Sequence, residues 1–576
     1  MPIELPPVLV MWLGLIILPL LPKNARPAAF LAFPIAALIL ILTIPLGTVV
    51  TMPFAHYELV VLQVTQLSRV FGIIFALIAF FCGVYALHMR ETGQQAAALL
   101  YGGGALGVTF CGDFFTLLVC WEIMAAGSTY LIWAQRTTSS QQAGMRYLLY
   151  HLFGGSLLLA GIIVYAQSSG TLLLPENGFA PGESLAAWLM FFGVMINAAM
   201  VPLHAWLPDA YPKATITGAC VLSAFTTKVA VYVAIVLFPG WPILMIMGVA
   251  MALWGVSYAF LANDIRAILS YHIISQVGYM IAAVGIGTEL ALNGAAAFAF
   301  SNILYKTLMF MATGAVLYAA GTSKLSELGA LASRMKWVLV LYMVGALSIS
   351  GFPLFMGFIS KTMIITAAGE SSAYAVKFLL IFASVGTFLS VGIKLPYYTW
   401  FHEEKTHHAQ LRPIPTGMFA AMTGVAVLCV VYGVFPGLLY AELPYFMDFT
   451  PFAIPLLVET TQILIFTFLG FWLVRAKLTP KDKISLDVDW FYRRLAPYLR
   501  RVFIAWVNVF FDTAERLSFR FADFVSSLSS DPMHVLRTLH RPLRDFDADA
   551  DRPPLSTPIT LTLLVTVAVA AWSLWR

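Results

Sequence analysis

Cysteine and charge are the scarce components of this chain. Five of its 576 residues are cysteine (Cys82, Cys111, Cys120, Cys220 and Cys429), each alone in an apolar segment and none in a C-x-x-C pair. That spacing offers no disulfide framework, no zinc site and no iron–sulfur ligand set. Asp, Glu, Lys and Arg make up 11% of the residues, against roughly 25% in an ordinary soluble domain. With 60% hydrophobic residues and a mean hydropathy of +0.86, a chain this long has too little polar surface for a water-soluble enzyme. The net charge of +5 comes without a basic stripe outside the loops, which argues against a nucleic-acid partner. Gly102, Gly103 and Gly104 precede no Lys-Ser or Lys-Thr and read as helix-packing glycines rather than a phosphate loop. No haem, flavin or nucleotide motif occurs, so no cofactor is expected and any coupled redox chemistry belongs to other subunits. HEEKTHH (402–408) has no metal-ligand spacing and reads as a solvated loop. The start of the chain has no basic region and no small-residue cleavage site, so a cleavable signal is not expected.

What remains is apolar runs of membrane-spanning length. About sixteen are readable by the roughly 20-residue criterion: 4–21, 27–50, 70–87, 95–111, 114–134, 146–166, 184–207, 214–237, 242–262, 267–287, 291–318, 337–366, 374–400, 415–440, 453–475 and 557–575. The fold class is an all-α polytopic membrane protein. Numbering the loops in order, the odd ones carry Lys23, Arg26, Arg90, Arg136, Arg146, Lys213, Arg266, Lys324, Arg334, Lys336, Lys405 and Arg412. The even ones carry Arg69 and Lys377. Positive residues stay on the cytoplasmic side, which places both termini outside.

The same bookkeeping isolates charges that fall inside spans: Glu122, Lys228, Lys306, Lys361 and, nearer an end, Lys394; Glu459 sits close to the same class. A charge at the bilayer centre costs about 2.5–3.5 kcal/mol on insertion scales, so such groups face a protein interior or a water path. Two spans are interrupted, the seventh at Pro202 and Pro208 and the twelfth at Gly351, Pro353 and Gly357. A proline frees a carbonyl, tolerable in hydrocarbon only where protein or water satisfies it. The breaks lie five spans apart, and an odd offset inverts topology, so 95–237 and 242–400 read as two inverted five-helix repeats. The rest divides into helices at 1–94 and 415–475, a polar cytoplasmic-side segment at 477–555 and a last span at 557–575. His204 and His272 could relay protons, since histidine titrates near neutrality; Asn197 and Asn302 are further possible relay positions, able to hold water but not to take up a proton. Lys477 to Arg552 holds 13 basic and 11 acidic residues. Its aromatic-rich part between Pro497 and Pro532 predicts a lateral helix about 50 Å long, lying in the membrane interface or along a partner.

Several segments together resemble the antiporter-like subunits of respiratory complex I and the D-like subunit of Mrp-type multisubunit Na⁺/H⁺ antiporters. They are Trp121-Glu122, PLHAWLPDAYP at 202–212, the Lys228 segment, DIRAILSYHIISQVGYM at 264–280, the Lys306 segment and GFPLFMGFISK at 351–361. The resemblance implies two inverted repeats, each with a broken helix, and a chain of charged residues conducting protons in the membrane plane. Glu122, Lys228, Lys306 and Lys361 match its positions. It also implies partner membrane subunits, a bacterial inner membrane location, H⁺ and possibly Na⁺ as the ion, and a lateral helix before a final span. Two positions depart from the pattern: Asn197 stands where the family usually has a lysine, and Phe298 and Asn302 stand where some members have a histidine pair. The expected function is a proton (or Na⁺/H⁺) translocating subunit. A non-conducting structural subunit, or the equivalent part of a membrane hydrogenase or an inorganic-carbon uptake complex, stays open at this point.

Overall fold

The computed structural model describes residues 5–403, 411–475, 479–480, 486–530 and 559–566. It divides into two units, Met1–Ser485 and Leu486–Arg576. Hydrocarbon supplies no hydrogen bonds, so an apolar run must satisfy its own backbone, and here it does so as helices. Eleven of the described helices are long and apolar enough to cross a membrane. Shorter apolar helices cover Pro7–Leu20, Leu185–Asn197 and Lys336–Ser350. The chain is a multi-pass all-α membrane protein.

The first unit opens with α1 (Pro7–Leu20), α2 (Arg26–Phe30) and α3 (Ala32–Thr43). The second predicted span reaches residue 50, but Pro45 and Gly47 end the helix early. The β-branched stretch beyond them pairs as an antiparallel hairpin, β1 (Val49–Phe54) with β2 (Tyr57–Gln63). Hydropathy alone merges the start of this hairpin with the helix. α4 (Gln66–Tyr85), α5 (Thr92–Phe110), α6 (Phe114–Trp133) and α7 (Thr138–Ser169) follow. Thr65, Asp113 and Thr137 cap α4, α6 and α7 by accepting backbone N–H bonds. The Thr137 cap starts α7 ahead of the predicted residue 146 and draws polar SSQQ into the helix.

Next come α8 (Leu185–Asn197), α9 (Trp206–Ala210), a 3₁₀ turn at Tyr211–Lys213, α10 (Ile216–Leu222) and α11 (Thr226–Leu237). α12 (Pro242–Leu261), α13 (Ile265–Ile286), α14 (Glu289–Ala320), α15 (Lys336–Ser350) and α16 (Met356–Glu370) continue the bundle. α17 (Tyr374–Thr387) runs on in wider π turns to Phe401. α18 (Thr416–Val434), α19 (Gly437–Tyr440) and α20 (Ile454–Val474) complete the unit. The seventh span breaks between Asn197 and Trp206, around a cis Val201–Pro202 peptide, and Pro208 lies inside α9 rather than in the break. The twelfth breaks between Ser350 and Met356, with Gly351 in the left-handed conformation at φ 78°. Gly357 is already the second residue of α16.

One set of backbone bonds occurs twice. The Phe114 N–H donates to Leu172 O, and the Leu174 N–H donates to Gly112 O. The Ile265 N–H donates to Ser323 O, and the Leu325 N–H donates to Asn263 O. The capping residues Asp113 and Asp264 are 151 residues apart. The same spacing separates both ends of α7 and α14 (138 to 289, 169 to 320) and the prolines of the two breaks (202 to 353). In this register Gly155 corresponds to Lys306, and Asn197 to Ser348.

Close packing in the second half is backbone on backbone. A Cβ on Gly248 would lie 2.4 Å from Ala282 N, and one on Gly278 would lie 2.4 Å from Gly248 O, so α12 and α13 approach as only glycine allows. The segment after the first break is held by charge. Asp209 accepts from Arg146 at 2.7 and 3.1 Å and from Lys213 at 2.6 Å. Arg266, buried at the start of α13, donates to Tyr211 O, Ala214 O and Thr215 O.

The second unit contains α21 (Asp489–Ser530), 42 residues long, or about 63 Å at 1.5 Å per residue. It starts ahead of the predicted Pro497 and runs through that proline. Phe491, Tyr498, Phe503, Trp506, Phe511 and Phe519 are exposed along it. Of the last predicted span, 559–566 is helical; the remainder, 531–558 and most of the histidine-rich loop lie outside the described residues.

Burial alone would raise the Asp209 carboxyl, but Arg146 and Lys213 more than offset it and hold it below the usual carboxylate range. Its contribution to stability is present above the unfolded-state value and fades as pH falls through the folded one. Asp209→Asn is expected to cost on the order of 1–2 kcal/mol at neutral pH. In detergent melts at stepped pH, the gap to the parent protein should shrink below about pH 4.

Candidate functional site

Lys306 lies midway along α14, fully buried, and its Nζ has no hydrogen-bond partner among the described residues. A buried ammonium group brings three donors and a charge, which protein or water must satisfy. Its surroundings share that character. His272 Nδ1, Ser275 Oγ and Gln276 Nε2 on α13, and Asn302 Oδ1 on α14, are also buried without a protein partner. Positions 272, 275 and 276 fall on one helix face, as do 302, 305 and 306 on the other helix, so two polar stripes run together inside an apolar bundle. Protein bonds join part of the set. Asn302 Nδ2 donates to the Tyr305 hydroxyl at 3.0 Å, and that hydroxyl donates to Gln276 Oε1 at 3.3 Å. His272 Nε2 and Ser390 Oγ are 2.6 Å apart, where α17 has widened into π turns. His272 lies in electrostatic reach of both Lys306 and Lys361, and Lys306 in reach of Lys228.

The other lysines sit at helix interruptions. Lys228 Nζ donates to Ser223 O at 2.8 Å, across a break between α10 and α11 that the sequence does not announce, since no proline or glycine marks SAFTT. Ser223 Oγ in turn lies 3.4 Å from Thr307 Oγ1, beside Lys306. Lys361 Nζ donates to Ile349 O at 2.9 Å, a carbonyl freed where α15 ends, and to Ser384 Oγ at 3.1 Å. Lys394 donates to Phe260 O and Ala262 O at the end of α12. Each ammonium thus caps a helix C-terminus, where the macrodipole favours a cation. A cavity beside Lys361 is lined by Gly351, Ser384 and Thr362, and by Glu459 and Thr460 of α20, so Glu459 borders the same cavity.

The first half is built differently. Glu122 is half-buried on α6, and a Cβ on Gly155 would meet its Oε1 at 1.7 Å, so its carboxylate fills the space Gly155 leaves on α7. Asn197, at the end of α8, is bonded to His151 of α7: Nδ1 and Oδ1 are 2.8 Å apart. His151 is not among the sequence-predicted residues, although it carries the signal that singles out His272, a lone histidine in an apolar run. His204 is buried in the break with its ring edge-on to Trp254.

Residues 111–390 match the family described as NADH:quinone oxidoreductase/Mrp antiporter, TM. This segment, a little under half of the chain, resembles that family. Hydrogenase-4 component B of Escherichia coli (strain K12) is 28% identical over 422 residues, covering 66% of this chain and 63% of that protein. The D-type subunit of the Na⁺/H⁺ antiporter of Alkalihalophilus pseudofirmus is 30% identical over 321 residues, covering 52% and 64%. The match therefore spans less than two thirds of the length of these curated relatives. A chain of the Mrp complex from Dietzia sp. DQ12-45-1b shares the fold with a TM-score of 0.67 at 23% identity, over 80% of this chain and 99% of that one. So does a chain of respiratory complex I from Thermus thermophilus, with a TM-score of 0.65 at 21% identity, over 76% and 99%. The segment that matches the antiporter family holds Glu122, His151, Asn197, Lys228, Lys306 and Lys361.

The second break depends on Gly357, where a Cβ would fall 1.7 Å from the backbone oxygen of Ser348. Gly357→Ala must push the two half-helices apart and is expected to abolish the monodisperse peak in fluorescence-detected size-exclusion chromatography. Gly437→Ala, with nothing within 4 Å of the added methyl, should leave that peak unchanged.

Proposed function

We propose that the chain is the proton-translocating subunit of a multisubunit complex in a bacterial inner membrane, with other membrane subunits as partners. Odd loops face the cytoplasm and the termini lie outside, as the basic residues prefer. The matching bond sets and the 151-residue spacing support two repeats, 95–237 and 242–400, flanked by helices at 1–94 and 415–475. The long helix Asp489–Ser530 lies laterally and braces a neighbouring subunit.

Protons pass between Lys228, Lys306 and Lys361 through water held by the orphaned polar atoms of α13 and α14, with His272 as a relay between the last two and Glu122 setting the charge of the chain. The ion is H⁺ rather than Na⁺ on this path. A row of ammonium groups repels a metal cation, whereas each amine takes up and releases a proton. The helix-end carbonyls lower the cost of the charged form, and desolvation raises it, so a modest change in wetting moves a proton along. Driving one charge across 100 mV corresponds to about 2.3 kcal/mol, within the range that such changes supply. The cavity shared by Lys361 and Glu459 forms the far end.

The observation that carries this reading is Lys306, fully buried with no protein partner for its charge. Lys306→Ala in the reconstituted complex is expected to reduce proton flux by about a hundred-fold while co-purification of the partner subunits is retained. Proton flux at the parent level would overturn it.

A further inference from the structure

We infer that His151 is the proton-accepting base of the first half, paired with Glu122 and set in place by Asn197. This rests on the translocation reading above. His151 is 1% exposed, on α7, whose residues contact both Asn197 and Glu122. The Asn197 side-chain oxygen can only accept, so the His151 Nδ1–H donates to it at 2.8 Å. In the neutral ring that leaves Nε2 as a bare lone pair, and Nε2 is buried with no protein partner. The ring's position is fixed on its other sides by Tyr147, at 4.1 Å between centroids, and Trp206, at 4.7 Å.

Glu122 completes the pair. Its carboxylate occupies the place of a Gly155 side chain, and Gly155 is four residues on from His151, one turn along the same face of α7. Asn197 flanks that turn as well: a Cβ on Gly154 would lie 3.4 Å from its Oδ1. The 151-residue register makes Gly155 the counterpart of Lys306. Where the second half puts an ammonium group on its 32-residue helix, the first half leaves that position empty of side chain and fills it with a carboxylate from α6. The step is a proton exchange. The Glu122 O–H bond breaks as the Nε2–H bond forms, directly or through one water, and a neutral pair becomes carboxylate and imidazolium. Asn197 is therefore a positioning residue. It fixes the tautomer and does not itself carry the proton.

The test uses the full chain with its co-purifying subunits in liposomes, with proton flux driven by a valinomycin-clamped potassium potential and read by trapped pyranine. His151→Gln keeps a polar partner for Asn197 but cannot titrate, and should lower flux about ten-fold or more. His151→Lys, a base of different shape, should recover flux that His151→Gln loses, which a purely packing role for the ring would not allow. Gly155→Ala displaces only the end of the Glu122 side chain and should lower flux with the fold intact. Parent-level flux in His151→Gln or in Gly155→Ala, with Lys306→Ala blocked, overturns the pairing and leaves the translocation reading standing. Parent-level flux in Lys306→Ala overturns both.

Discussion

An apolar bundle has no water to spare for its own broken backbone, and this constraint organises the whole first unit. Each interruption of a helix frees carbonyl groups that must find a donor. In this protein the donor is repeatedly a lysine: Lys228 at the α10–α11 break, Lys361 at the end of α15 and Lys394 at the end of α12. The break makes the cation tolerable, and the cation makes the break tolerable. Either feature alone would be costly in hydrocarbon; together they place a proton-binding group at a fixed point inside the membrane.

Lys306 stands apart because it lies in an unbroken helix. No freed carbonyl awaits it, and the polar stripe of His272, Ser275, Gln276 and Asn302 supplies bonding capacity without closing on it. A group bound to several protein acceptors holds its proton in one state. One surrounded by adaptable polar atoms can change state as those atoms and nearby water reorient. Lys306 thus stands between two better-anchored neighbours.

The two halves share a backbone plan and diverge in chemistry. Bond sets around Asp113 and Asp264 are equivalent, and the helices between them and the breaks keep one register. On that common frame the second half carries its charge as an amine on α14. The first half places a carboxylate from α6 against Gly155 of α7, one turn along from His151 of the same helix. Both arrangements put a titratable group at the same register position, so the shared frame accommodates either residue type.

Much of this was legible in the chain alone. Apolar runs, the asymmetry of basic loops and the isolated charges within spans gave the membrane class, the membrane-buried lysines and the two proline breaks, because burial and insertion costs act on local composition. The hairpin at 49–63, the unmarked break before Lys228, the pairing of His151 with Asn197 and the approach of Glu459 to Lys361 were not legible. Each depends on which helix faces which. Apolar surfaces dock on one another by shape, through glycine contacts and rotations that a one-dimensional pattern does not encode, and only their docking decides which polar side chains meet.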